Sequence, residues 1–172
     1  MYRYAFITSL LLLAACSHTP PQYFVLPDSQ YQRPNRVAEE ISVHVILAEP
    51  LNHSGLVYQT DAYKINFARQ HLWASPLEQM LSAKLSNLLN RNHSRYIFVP
   101  KTHSNSNKIL KIHIESFQGS YLGNTVIKGY AYWPDGRSVP FDISTPQQGD
   151  GYNAMVSALD NGLEQAAIML AQ

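Results

Sequence analysis

Apolar residues recur along this chain with two different spacings. Ile41, Val43, Val45 and Leu47 alternate with Ser42 and His44, the period of two of a half-buried strand. Leu110, Ile112 and Ile114 alternate with Lys111, His113 and Glu115, so one face of that strand is core and the other meets water or a partner. Shorter runs at Tyr23–Leu26, Leu56–Thr60, Tyr63–Phe67 and Tyr96–Val99 read as further strands, the second and third paired about Asp61-Ala62. The stretch Thr125–Trp133 is aromatic and β-branched, with Tyr130 and Tyr132 on one side and Ala131 and Trp133 on the other. Pro134-Asp135-Gly136 then turns the chain, and Val139, Phe141 and Ile143 return as a strand.

Two segments follow the helical period instead. Leu77, Met80, Leu81, Leu85, Leu88 and Leu89 share one face, with Lys84, Asn87 and Asn90 off that stripe. Ser75-Pro76-Leu77-Glu78 predicts the start, with Ser75 as cap, Pro76 at the first helical position and Glu78 completing a capping box. The last helix carries Tyr152, Met155, Val156, Leu159, Leu163, Ala166, Ala167 and Leu170 in a stripe, with Asp150 as its expected cap. Gly162 inside it costs about 1 kcal/mol against alanine, which close packing on a strand would justify. This order of elements predicts one α/β domain over residues 23–172, with a mixed sheet and two principal helices.

The opening residues fit neither spacing. Ala5–Leu13 is apolar apart from Thr8 and Ser9, follows Arg3, and runs into Ala14-Ala15-Cys16, the build of a signal peptide. It falls well short of the roughly 20 apolar residues of a spanning helix, and polar SHTPPQ follows it. Leu13-Ala14-Ala15-Cys16 resembles the lipobox of bacterial lipoproteins. The resemblance implies a signal peptide over 1–15, cleavage before Cys16, a diacylglycerol on the thiol and a further acyl chain on the new amino group. Residues 16–22 would then form a lipidated N-terminus and tether; the alternative is an ordinary secretory signal with a chance cysteine. Several chains at about 0.8 kcal/mol per buried methylene hold far more firmly than one myristoyl group. Cys16 is the single cysteine of 172 residues, so a mature chain of about 155 has no thiol left for a disulfide and must fold on its core alone. Ser17 stands where an aspartate would imply retention in the inner membrane of enteric bacteria. The resemblance therefore implies the outer membrane, on its periplasmic side.

Charge narrows the partners only by exclusion. Thirteen basic and twelve acidic residues give +1, with no basic stripe for nucleic acid. Thr102–Lys108 reads as a solvated loop. Seven histidines show no HxxxH or HExxH spacing, so no metal site is expected. No GxSxG nucleophile and no glycine-rich phosphate cradle occur either, so neither an enzyme nor a cofactor is expected beyond the acyl groups on Cys16. Trp73 reads as an interface anchor or as packing over the start of the first helix. Tyr121, Tyr130 and Tyr132 read as an amphipathic patch for lipid or a partner, or as cover for the sheet.

At LVYQT (Leu56–Thr60) and LWASPLEQ (Leu72–Gln79) the chain resembles the PqiC-type lipoproteins, the ABC-transport auxiliary family attached to MCE-type intermembrane lipid transport. The likeness continues through Phe117–Gly123 and Asp150-Gly151-Tyr152. It departs at Glu49-Pro50-Leu51-Asn52, where relatives often carry proline followed by tyrosine and leucine. The resemblance implies a three-layer α/β fold like that of anticodon-binding domains. It also implies a place at the outer membrane, docking a periplasmic MCE-domain protein fed by an inner-membrane partner and supporting membrane integrity. A homo-oligomeric ring over the conduit is compatible with that role. The rival role is a lipoprotein adaptor that activates a cell-envelope enzyme.

Overall fold

Eight strands and two helices form over residues 20–172, the part of the chain that the computed structural model describes. The expected signal peptide, Cys16 and the first residues of the tether lie outside the described residues. The strands are β1 (Gln22–Phe24), β2 (Glu39–Leu47), β3 (Gly55–Gln59), β4 (Ile65–Trp73), β5 (Tyr96–Pro100), β6 (Ile109–Gly119), β7 (Asn124–Tyr132) and β8 (Ser138–Pro146). The helices are α1 (Leu77–Asn92) and α2 (Gly151–Leu170). β4 and β6 run well past the expected Phe67 and Ile114, because each gains a neighbour that its own alternation does not announce.

The sheet is built around β6. β7 pairs antiparallel along one edge of it, from Lys111 to Gly119. On the other edge β2 lies parallel over Ile109–Ile114. Ala48 donates its N–H to the Ile114 carbonyl at 2.9 Å, and the chain then leaves through a 3-10 turn at Glu49–Asn52 with Leu51 buried. β3 takes the vacated edge farther along, with Tyr58 opposite Gly119. β5 lies parallel outside β2, β8 antiparallel outside β7, β4 antiparallel to β3, and β1 parallel to β4. This is the expected mixed sheet in a single domain.

Both helices pack on one face of the sheet. Ser82 of α1 donates to the Val43 carbonyl, and α2 lies on β7 and β8 so closely that a Cβ at Gly162 would stand 2.8 Å from Ile127 Cδ1. That close approach accounts for the glycine. The helices also touch each other through Lys84 and Asp160, an ion pair at 2.6 Å. The layers therefore number two, helices on sheet, rather than the three that the family resemblance implies. Between them lie Val43, Val45, Leu110, Ile112, Ile114, Ile127, Phe141 and Ile143 against Leu81, Leu85, Leu159 and Leu163, all buried. Each such side chain contributes about 1.5–3 kcal/mol of transfer free energy, the source of stability open to a core without disulfides.

The helix starts are placed correctly by sequence, but the capping chemistry differs. Pro76 itself is the cap of α1, with extended ψ of 125°, and its carbonyl accepts from Gln79 and Met80. Ser75 makes no capping bond because the first helical turn begins one residue later than its hydroxyl could serve. Asp150 does sit at the cap of α2, also without a side-chain capping bond.

The larger correction concerns the polar residues of α1. Lys84, Asn87 and Asn90 lie off the leucine stripe yet are 1%, 7% and 8% exposed. Each is buried because it has partners. Asn90 donates to the Phe98 carbonyl at 2.7 Å and accepts from the Phe98 N–H at 2.8 Å, serving the side of β5 that faces away from β2. Asn87 donates to the carbonyls of Asp28 and Gln30 and accepts from the Gln32 N–H. Arg36 closes the same strip, donating to the carbonyls of Asn90, His93 and Tyr96. The irregular stretch from Asp28 to Arg36 is thus fastened to α1 by side chains. Ser104 and Ser106 hold the expected solvated loop to Glu40 in a similar way.

Two stability predictions follow from these buried contacts. Asn90→Ala strands two buried backbone groups of Phe98, and urea unfolding is expected to show a loss of about 2–4 kcal/mol. Lys84→Ala leaves Asp160 facing the core without its cation, for an expected loss of about 3–5 kcal/mol. Replacing the pair together, Lys84→Met with Asp160→Leu, should recover most of that loss; a double variant no more stable than Lys84→Ala would contradict the ion-pair account.

Candidate functional site

The face of the sheet away from the helices carries the side chains of alternate residues on β6 and β7. Period-two geometry places Tyr130 and Tyr132 there together, and the register sets Tyr130 opposite His113 and Tyr132 opposite Lys111. The His113 and Tyr130 rings stack at 4.7 Å with a 17° tilt. Tyr132 meets Tyr130 edge-on at 5.3 Å and His113 at 6.1 Å. On the opposite, core-facing side of β7, Gly129 lets the β6 and β7 backbones come close at this point: a Cβ there would lie 2.0 Å from the His113 carbonyl oxygen and 2.8 Å from the Phe141 ring. Tyr132 remains 46% exposed, and the Lys128–Asp142 ion pair at 2.8 Å lies farther along the same face. An aromatic surface with hydroxyl and imidazole groups binds by packing and hydrogen bonding, as interface patches do.

The other sequence-derived site residues lie elsewhere. Trp73 ends β4 and is 5% exposed, its ring 6.0 Å from Phe117, so it packs the core beside the start of α1. Tyr121 sits in the turn between β6 and β7, 49% exposed. From the register it stands roughly 20 Å along the sheet from Tyr130. Cys16 lies outside the described residues. The structure thus joins Tyr130 and Tyr132 and separates Trp73 and Tyr121 from them.

Sequence reasoning missed the partners of the histidines. His53, His71, His93, His103 and His113 each face an aromatic ring, those of Phe67, Tyr152, Tyr96, Tyr31 and Tyr130. The tightest is His71 on Tyr152, stacked at 4.0 Å, with Phe24 and Tyr58 beside them. This cluster binds β1, β3 and β4 to the first turn of α2. Burial, and then the neighbouring Tyr58, raise the Tyr152 phenol above its ordinary value. Among the described residues no three His, Cys, Asp or Glu side chains come together as a metal site would require.

A groove of about 1080 Å³ opens between α1, the Val25–Tyr31 stretch and the 3-10 turn at Lys101–His103. Apolar Val43, Val45 and Met80 line it together with polar His44, Glu78 and Lys101. Burial and the adjacent Lys101 lower the His44 pKa. A pocket for an acyl chain needs a predominantly apolar lining, and this one is mixed.

His93, which ends α1, is likewise held below its ordinary value of 6.5, first by burial and then by Arg95, Arg36 and Arg137. It stacks on Tyr96 and meets Phe98 and Trp133. A histidine with a depressed folded pKa binds fewer protons in the fold than in the open chain. Its contribution is complete above the unfolded value and is lost as pH falls below it. The urea midpoint should therefore drop between about pH 7.5 and 5.5, and His93→Phe should flatten part of that dependence. An unchanged slope in the variant would show that other groups carry it.

Known proteins are similar to this chain in sequence and in fold. The intermembrane transport lipoproteins PqiC of Escherichia coli (strain K12) and Shigella flexneri are each 29% identical to this chain over its whole length and 97% of theirs. A crystal structure of an uncharacterized protein, 27% identical, superposes with a TM-score of 0.75 over 89% of this chain and 97% of that one. A second, of protein XCC0632 from Xanthomonas campestris, has the same fold at 16% identity, with a TM-score of 0.68 over 87% and 92%. The family model described as the ABC-type transport auxiliary lipoprotein component matches residues 24–171, from β1 past the end of α2, and the chain belongs to that family.

Proposed function

We propose that this chain is the outer-membrane lipoprotein of an intermembrane lipid transport system, docking a periplasmic MCE-type conduit to the membrane and so supporting membrane integrity. The observation that carries this reading is the likeness to the PqiC lipoproteins over the full length of the chain. In this role Cys16 bears the acyl anchor, and residues 16–22 form a tether of at most about 3.3–3.6 Å per residue. The body therefore stays close to the periplasmic side of the bilayer. The paired Tyr130 and Tyr132 with His113 supply the partner face, since aromatic residues that are half exposed in the free domain are the usual anchors of an interface. No bond chemistry is required of the chain: it contributes proximity and orientation, and the energy for transport comes from its partners.

The test is purification of the tagged, acylated protein from its native envelope in detergent, with the bound proteins identified by mass. An MCE-domain protein is expected, and Tyr130→Ser with Tyr132→Ser should lose it while the fold persists. Cys16→Ala should move the protein from the membrane to the soluble periplasmic fraction. Recovery of a cell-wall enzyme with no MCE protein would replace this reading with the adaptor role.

A further inference from the structure

Three features of the chain meet at the end of the sheet where β6 finishes. β3 runs parallel to β6 with Tyr58 opposite Gly119, so the β3–β4 and β6–β7 hairpins project their tips side by side from that end. The first tip carries Tyr63, 96% exposed, followed on β4 by Ile65 and Phe67 at 38% and 39%. The second carries Tyr121 and Leu122 at 49% and 72%. β1 is parallel to β4 with Gln22 opposite His71, so the chain enters β1 from the side on which β4 begins. That is the same end.

The lengths agree as well. Cys16 precedes Gln22 by six residues, at most about 20 Å of chain. Ile65 precedes His71 by six residues of strand, also about 20 Å. Six residues of extended chain are therefore long enough for an anchor at Cys16 to sit level with the hairpin tips, and not for it to lie far beyond them. We propose that this end of the domain rests on the bilayer, with Tyr63, Tyr121 and Leu122 at the hairpin tips entering the headgroup region of the leaflet that holds Cys16. The proposal rests on the acyl-anchor reading above.

The chemistry of the tips suits that surface. Tyrosine presents an apolar ring and a polar hydroxyl, the combination favoured at membrane interfaces. The β3–β4 tip is also preformed, since the Asp61 carboxylate accepts from the N–H groups of Tyr63 and Lys64 at 2.8 and 2.9 Å, and Thr60 donates to the Lys64 carbonyl. A preformed tip loses little conformational freedom on contact. Lys64 pairs with Asp61, so no uncompensated carboxylate faces lipid phosphates there. Tyr130 and Tyr132 stand farther back on the sheet face and stay free for a protein while the tips lie on lipid.

The test places one tryptophan at a time in the full acylated protein, as Tyr63→Trp, Leu122→Trp or, for comparison, Tyr132→Trp. Trp73 and Trp133 are each 5% exposed and give a constant background. The proteins are reconstituted on vesicles of phosphatidylethanolamine and phosphatidylglycerol, with or without bromine on the acyl chains. Emission from positions 63 and 122 should shift to shorter wavelength and be lost in the brominated vesicles, while that from position 132 should not change. Protein that floats with the vesicles while positions 63 and 122 stay unquenched overturns this proposal and leaves the anchor standing. Protein that does not float at all overturns the anchor reading and the proposal with it. A shift that appears without lipid as protein concentration rises assigns the tips to contact between copies and likewise overturns the proposal.

Discussion

One edge of β6 is divided between two strands, and the architecture depends on that division. β2 uses it as far as Ile114, the Ala48 amide closes the pairing, and β3 resumes it at Gly119. Had β2 continued, the backbone groups at the end of β6 would be taken and β3 would have no place in the sheet. The proline-bearing 3-10 turn at Glu49–Asn52 is what moves the chain aside, since it cannot prolong the ladder. From that exchange follow the position of the β3–β4 hairpin, the attachment of β1 and the end of the molecule from which the N-terminal chain arrives. The two helices then need to cover only the face that the hydrophobic alternation presents.

That alternation is why most of the fold is legible in the sequence. β2, β7, β8 and the first half of β6 are half-buried strands, and period two reports a single buried face directly. Helical spacing locates α1 and α2 for the same reason. The polar side of α1 is where the inference fails. Periodicity sorts residues by hydrophobicity, and Lys84, Asn87 and Asn90 are buried through hydrogen bonds and charge instead. Their partners lie on β5, α2 and the Asp28–Gln32 stretch, as far as 76 positions away in the case of Asp160. No local pattern encodes such pairs. The extension of β4 to Trp73 escapes notice similarly, because its neighbours β1 and β3 supply the order that its own sequence lacks.

The candidate surface shows the same boundary. Two tyrosines separated by one residue on a strand must share a face, so Tyr130 and Tyr132 could be joined from sequence alone. His113 could not be added, because its place beside Tyr130 depends on a register that passes an irregularity between Ile114 and Ser116. Tyr121 lies beyond the strand, where alternation stops. Trp73 carries no signal that distinguishes a core tryptophan from an exposed one. The family likeness is a different kind of information: it assigns the chain to a family without saying which of its faces is used.

The bond between Asn90 and β5 has a consequence for assembly. A strand at the border of a sheet ordinarily offers a row of free amides and carbonyls on which another chain can continue the ladder. On β5 the outward groups of Phe98 are occupied by Asn90, and the outward carbonyl of Tyr96 by Arg36. Copies of a protein held on one membrane would be confined to two dimensions at high local concentration, the condition under which edge-to-edge growth becomes dangerous. A side-chain amide that mimics the missing strand thus occupies the middle of this edge, where a further strand would have to pair.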